Sequence, residues 1–384
     1  MREWQTARLG DVCSFEKDQA IHGGLPYVGL EHIESGTGRF LGAANAVTVK
    51  SATFRFSPSH VLYGRLRAYL NKVLLPDFEG HCSTEIFPIK PGPAISRAYL
   101  FHWLSADATV KAIDGTSTGA RMPRANMSAV LDFKLPIPPL NEQRRIVAIL
   151  DEAFEGIATA KANAEKNLKN ARSLFDDYLR EVFTRRGEGW VDRTLDEVCK
   201  VERGSSPRPI KNFFTTKPDG VNWIKIGDTE EGGKYVYSTA QRITPDGAKQ
   251  SRYVREGDLI LTNSMSFGRP YIMKTTGYIH DGWFVLRLRD QVDTDYFYYL
   301  LSSQFVQAQF AILAAGAVVK NISGDLVKKA VLAIPPFTEQ KAIVERFMVL
   351  AEETDSLATL YRQKLAALDE LKKSLLHQAV TGAL

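Results

Sequence analysis

Cysteine is scarce in this chain. Its three cysteines, Cys13, Cys82 and Cys199, are scattered and odd in number, which excludes a disulfide framework and gives no zinc-ligand spacing. The seven histidines are dispersed too. His81 beside Cys82 is the one close pair, and no further ligand follows at a suitable distance for a metal. Long apolar runs are also missing: the longest, "FAILAAGAVV" (310–319), is about half of what a bilayer span requires. The opening "MREWQTARLG" lacks the apolar centre of a signal peptide. These absences lead us to expect a soluble, cytoplasmic protein without a membrane partner.

What is present is ordinary in amount. The 384 residues are 44% hydrophobic and 24% charged, enough for two or more domains with their own cores. The net charge of +5 and pI near 8.9 permit a nucleic-acid partner. They fall short of the charge density of a strongly DNA-binding domain. A DNA-binding role at this charge is consistent with phosphate contacts shared with another subunit.

The distinctive feature is an internal repeat. "IPPLNEQRRIVAIL" (137–150) returns as "IPPFTEQKAIVERF" (334–347), with half of the positions identical. "LGDVCSFEKD" (9–18) resembles "LDEVCKVERG" (195–204), and "YLFHWLSAD" matches "YFYYLLSSQ" in aromatic placement. The likeness is close at the edges of each module and poor in the middle. A repeat this long points to a duplicated architecture and not to a short solenoid unit.

Each "IPP" stops the preceding segment and launches a long helix, with Asn141 and Thr338 as expected N-caps. In the first helix the apolar positions Val147, Leu150, Phe154 and Ile157, and then Ala164, Leu168, Ala171 and Phe175, step by threes and fours. In the second, Phe347, Leu350, Leu357, Tyr361, Leu368, Leu371 and Leu375 do the same. Lys161, Thr354 and Lys364 interrupt these seams. A spacing of 3.5 over about five heptads is a coiled-coil signal. The simplest partner for each helix of about 40 residues, on the order of 60 Å long, is the other one, running antiparallel.

The remaining segments read as mixed α/β. "AVTVKS", "EIFPIK", "VNWIKIG", "DLILTN" and "WFVLRLR" are expected strands, and "SRAYLFHWLSA" and "TDYFYYLLSSQFVQAQFAIL" expected helices. The expected architecture is α/β (α+β): two globular domains, 1–139 and 186–336, separated by a long antiparallel two-helix coiled coil made of 140–185 and 337–384, with a pseudo-two-fold internal repeat.

The combination of "YVGLEHIESG", "LPIPPLNEQRRIVAILD" with its twin, and the ending "LKKSLLHQAVTGAL" resembles the specificity subunits of Type I restriction-modification systems, over essentially the whole chain. The resemblance implies a non-catalytic reader of double-stranded DNA with two target-recognition domains and two spacer helices. It implies two modification (methyltransferase) subunits as partners, and ATP-dependent restriction subunits. S-adenosylmethionine, ATP and magnesium are expected in those partners and no cofactor in this chain. The DNA site implied is bipartite, with the helices setting the gap; unlike domain middles predict unlike half-sites.

Catalytic motifs are missing as well. "IPPL" and "IPPF" carry isoleucine where an amino-methyltransferase needs Asn or Asp. "GDTEEGGKY" has the wrong spacing for a phosphate-binding loop and lacks its hydroxyl residue. No Pro-Asp pair is followed by a nuclease-type Asp/Glu-x-Lys.

Base reading calls for Arg and amide side chains on loops, and phosphate contact for Lys, Arg, Ser and Asn. The first domain offers Arg65, Arg67, Asn71 and Lys72, and then Arg121, Arg124 and Asn126. The second offers Ser205, Ser206, Arg208 and Lys211, then Asn263, Ser264 and Arg269, and Lys320 and Asn321. Trp223, Trp283 and Tyr296–Tyr299 are expected in the core. An alternative from another class is a coiled-coil adaptor bridging two protein partners without sequence-specific DNA binding.

Overall fold

The computed structural model describes residues 4–384 apart from 44, 48, 231, 264–267 and 315–322. Two units result: Met1–Lys166 with Tyr361–Leu384, and Asn167–Leu360. The expected α/β (α+β) class holds: each unit joins an α/β domain to antiparallel stretches of two long helices, Leu140–Thr184 and Phe337–Thr381, of 45 residues each.

In the first unit, strand Gln5–Arg8 pairs antiparallel with Lys134–Ile137. A main sheet has the order Cys13–Phe15, Ile86–Pro91, Val61–Gly64, Val73–Leu74. A smaller sheet has the order Gln19–Ala20, Thr53–Phe56, Gly80–Cys82, Tyr27–Val28, its last pair parallel. Helix Arg97–Ser105 covers the main sheet, and Asp107–Asp114 packs beside it against the short turn Ala68–Leu70. Ser96 starts the first of these helices by accepting a hydrogen bond from the Tyr99 amide. The core joins Tyr63, Ile89, Tyr99 and Leu104 to Ile146 and Leu150 of the first long helix and to Leu376 and Ala379 of the second.

The second unit repeats this plan. Val191–Thr194 pairs with Val331–Ile334. The main sheet runs Cys199–Arg203, Trp283–Leu288, Leu259–Thr262, Pro270–Met273, Tyr235–Val236. The smaller sheet runs Gln241–Ile243, Val221–Ile224, Gly277–Ile279, Arg252–Val254. Asp293 caps helix Thr294–Ser302 through the Tyr296 amide. Trp223, Trp283, Tyr296, Phe297 and Tyr299 are buried.

Several local expectations need correction. Among the described residues of "AVTVKS", only an isolated bridge from Ala46 to Pro26 forms, and the strand begins at Thr53. The exposed run has no sheet face to bury, so β-propensity is not realised. The long helices start at Leu140 and Phe337, which places Asn141 and Thr338 inside the first turn, with Pro139 and Pro336 carbonyls accepting the first helical bonds. The predicted single helix "TDYFYYLLSSQFVQAQFAIL" breaks at Ser303. The Ser303 hydroxyl donates back to the Leu300 carbonyl and caps the Val306 amide of the next helix.

The helical seam also differs from the predicted one. Leu357 and Leu371 are 40% and 47% exposed, while Thr354, Ala358, Leu376 and Ala379 are buried. The buried or half-buried positions Ile343, Thr354, Leu365 and Leu376 fall eleven residues apart, a period of about 3.67 per turn. A strict 3.5 pattern drifts off that stripe, which carries Leu357 and Leu371 to the outside. Leu150, Ile157 and Phe347 are buried; Val147, Phe154, Leu168, Phe175, Leu350, Tyr361, Leu368 and Leu375 are half-buried. In the first unit the antiparallel register is visible in two contacts: Arg145 Nη2 donates to the Leu384 carbonyl at 2.9 Å, and Lys161 meets Asp369 at 2.7 Å. In the second, Phe175, Tyr178 and Phe183 gather around Phe347.

Candidate nucleic-acid interface

The repeated Glu-Gln pair explains how each domain is fastened to its helix. Gln143 is fully buried; its amide donates to the carbonyls of Ala94 and Pro138 at 2.9 and 2.8 Å, and its oxygen accepts the Ser96 amide at 2.8 Å. Gln340 does the same with Gln291, Pro335 and Asp293, at 3.1, 3.0 and 2.8 Å. A buried amide with this three-way pattern satisfies loop groups that burial would otherwise leave unpaired. Tyr99 and Tyr296 repeat a second fastening, each hydroxyl donating to a carbonyl of the last strand, Pro136 and Ala333.

On this scaffold the first domain brings its two predicted clusters together. Arg65 Nε and Arg124 Nη2 both pair with the Glu85 carboxylate, at 2.9 and 2.8 Å. The backbone completes the junction: Arg65 donates to Glu85, Arg67 to Pro123 and Ala125 to Arg65. Burial alone would raise the Glu85 carboxyl, but the hydrogen bonds from Arg124 and Arg65 outweigh it and hold the group below its usual range. Arg67 and Asn71 both adopt left-handed backbone, φ 53° and 49°, and flank the short turn Ala68–Leu70. A non-glycine residue rarely occupies that region without a packing or functional reason.

The predicted residues divide into held and free. Lys72 Nζ donates to the Leu30 carbonyl at 2.6 Å, and Asn71 Nδ2 to the Ser105 carbonyl at 2.9 Å. Asn126 Oδ1 accepts the Ser128 and Ala129 amides as a helix cap. Arg67 and Arg121 are exposed, and their guanidinium groups meet no partner among the described residues. Those two are free to meet a phosphate or a base edge.

In the second domain an acid again organises the loops. Asp281 accepts the Ser206 hydroxyl at 2.7 Å and pairs with Arg208 at 3.5 Å; its carbonyl accepts Asn263 Nδ2 at 2.7 Å. The Ser206 bond, with His280 and Arg208 nearby, keeps the Asp281 carboxyl below its ordinary range despite burial. The structure thus joins Ser206 and Arg208 to Asn263. Asn263 is buried, Ser205 donates to the Gln250 carbonyl, and Lys211 is exposed. The Arg269 amide donates to Thr262 Oγ1 at 3.0 Å. Ser264, Lys320 and Asn321 lie outside the described residues.

The acids that hold these donors, Glu85 and Asp281, and Tyr69, 54% exposed between the two left-handed residues, are further residues of these loops that donor chemistry alone does not single out. No local pattern marks these positions, since the acids act on residues distant in sequence. The cysteines are buried, and burial pushes the Cys13 and Cys199 thiols up to about 12, far from nucleophilic use at neutral pH. His81 spends one ring nitrogen on Thr53 Oγ1 and the other on the Val47 carbonyl. Among the described residues no group of three or more His, Cys, Asp or Glu could hold a metal ion, and no helix is long and apolar enough to cross a membrane.

Two copies of one scaffold, each with an acid-organised loop beside the same pair of strands, define a duplicated recognition protein. A family model described as the Type I restriction modification DNA specificity domain matches residues 1–170 and again residues 187–365. The chain belongs to the family of Type I restriction-modification specificity subunits. The specificity subunit of the Type I restriction enzyme EcoDI, from Escherichia coli, is 27% identical over 183 residues, covering 47% of this chain and 40% of that subunit. That match spans less than half of the relative's length. The MjaVIII specificity subunit of Methanocaldococcus jannaschii is 21% identical, over 99% of this chain and 92% of its own. A solved chain of a type I R-M system shares the fold, with a TM-score of 0.86 at 22% identity over 99% of this chain and 98% of that one.

Proposed function

We propose that the chain is the DNA-reading subunit of a Type I restriction-modification complex, each domain reading one half of an asymmetric, bipartite site. The two long helices fix the gap between the half-sites. Catalysis belongs to other subunits: adenine methyltransferase (modification) subunits that bind S-adenosylmethionine, and restriction subunits that use ATP and magnesium. The reading places the protein in the cytoplasm with its DNA.

One observation carries this reading: the family domain occurs twice, and in each copy an acid between the smaller and the main sheet gathers loop side chains, Glu85 pairing with Arg65 and Arg124, and Asp281 taking Ser206 and Arg208 on its carboxylate and Asn263 on its backbone carbonyl. A guanidinium fixed by a carboxylate is preorganised, which lowers the entropy lost on meeting a base or phosphate. The modest net charge fits a subunit that shares phosphate contacts with its partners. Weak DNA binding by the isolated chain, tightened by the modification subunit, follows from that.

The test is the methylation pattern of host DNA after co-expression with the neighbouring methyltransferase subunit. A split adenine motif that vanishes without this chain is the expected result. A stable complex without new methylation would favour an adaptor that bridges protein partners. Inserting four residues near the middle of the first helix should lengthen the gap or abolish activity with both half-sites unchanged; altered half-sites would remove the helices' role as a spacer.

A further inference from the structure

Within the first unit, Lys372 of the second long helix reaches the recognition loop through a short relay. Its Nζ donates to the Gly36 carbonyl at 2.9 Å. The Gly36 amide donates to the Asn71 carbonyl at 2.9 Å, and the neighbouring Ser35 hydroxyl donates to the Leu70 carbonyl. Asn71 in turn holds the Ser105 carbonyl. The loop 34–39 is therefore pinned on one side to a helix residue 336 positions away in sequence. On its other side it is pinned to the turn that carries Arg67 and Tyr69.

The lysine is built into this place. Its ammonium lies 5.2 Å from the centre of the Phe154 ring, and the Lys161–Asp369 ion pair stands beside it across the helix pair. Burial, with Lys161 nearby, pushes its ammonium below the usual lysine range. The carboxylates of Asp369 and Glu34 pull the other way without outweighing burial, and the half-buried ammonium keeps its hydrogen bond to the Gly36 carbonyl. In the second long helix Lys372 lies 35 residues past the first residue; at the same place in the first long helix stands Phe175, packed on Tyr299 and Phe347. The repeat therefore puts an aromatic contact at one copy of this position and a hydrogen-bonding cation at the other.

We propose that Lys372 is a positioning residue for DNA reading by the first domain, coupling the spacer helices to the turn 67–71 through the Gly36 carbonyl. It touches no base; it sets the attitude of the residues that do. This rests on the reading of the chain as a DNA-specificity subunit, and the experiment separates the two.

The variants are Lys372→Met, which keeps the stem over Phe154 and removes the donor, and Lys372→Arg, which restores a donor. Hydrogen exchange of the chain without DNA reads the coupling itself. Methylation of DNA libraries by the complex with its methyltransferase subunit reads specificity. In Lys372→Met, exchange at the Gly36 amide should accelerate, and discrimination against single-base changes should relax about tenfold at one half-site only, with Lys372→Arg closer to the parent. Unchanged exchange would overturn the coupling. Equal relaxation at both half-sites, or none with exchange accelerated, would overturn the role in reading. If the parent complex yields no chain-dependent motif, the proposed function fails while the exchange result still decides the coupling.

Discussion

The two recognition domains share a core and differ at its edges. Both have the antiparallel pair before the long helix, the buried glutamine clamp, and a main sheet covered by a capped helix. In the smaller sheets, three strands correspond: Thr53–Phe56, Gly80–Cys82 and Tyr27–Val28 against Arg252–Val254, Gly277–Ile279 and Val221–Ile224, the last pair parallel in each. The fourth strand then joins opposite edges. Gln19–Ala20 lies beside Thr53–Phe56, whereas Gln241–Ile243 lies beside Val221–Ile224. The organising acids differ too: the Glu85 carboxylate gathers two arginines, and the Asp281 carboxylate a serine and one arginine, with Asn263 held by the Asp281 backbone carbonyl. Positions that fasten a domain to its helix are the same in the two copies, and the loops proposed to meet DNA differ between them.

The strongest test of the shared part is the clamp. Gln143→Ala and Gln340→Ala should each destabilise by about 3 kcal/mol, because three hydrogen bonds are lost and buried loop groups are orphaned. Matched losses in thermal or urea unfolding would establish equivalence; a loss in one variant alone would break it.

The organising acids should separate the domains. Glu85→Gln should cost about 2 kcal/mol at neutral pH, from weakened bonds to two arginines. Because the Glu85 carboxyl is lowered from 4.5 in the folded state, its contribution is complete above that value and is lost as pH falls through the folded one. The gap between parent and variant should therefore close in unfolding measured from pH 5 downward. Asp281→Asn retains an acceptor for Ser206 and should show a smaller gap.

Effects smaller still on stability are expected at the free arginines. Arg67→Ala and Arg121→Ala should change it by no more than about 0.5 kcal/mol, yet each should flatten the salt dependence of DNA binding by the assembled complex by about one unit of slope. Unaltered salt slopes would remove both from the interface. The least effect belongs to the misplaced seam: Leu357→Gln and Leu371→Gln should stay within about 0.5 kcal/mol, where Phe347→Ala should cost about 3 to 5.

Much of this was legible in the residues. "IPP" followed by a stepping apolar pattern marked both long helices to within two residues at their start, and "EIFPIK", "DLILTN" and "WFVLRLR" each fall on a main-sheet strand. The Arg and Asn clusters were visible as clusters, but not that Asn126 spends its side chain on a cap or that Asn263 is buried. Such assignments depend on which backbone groups come near, and composition carries no record of that.

The sequence by itself determined the duplication, the mixed α/β class, the two helices and their family, because local periodicity and proline stops act within a few residues of one another. Tertiary structure alone decided which leucines face inward, since a small difference between 3.5 and 3.67 residues per turn accumulates along 45 residues. It also decided which arginines are bound and which are free, and that Lys372 holds Gly36. Those outcomes rest on charge and hydrogen-bond partners brought together from distant parts of the chain, where burial makes an unpaired polar group costly.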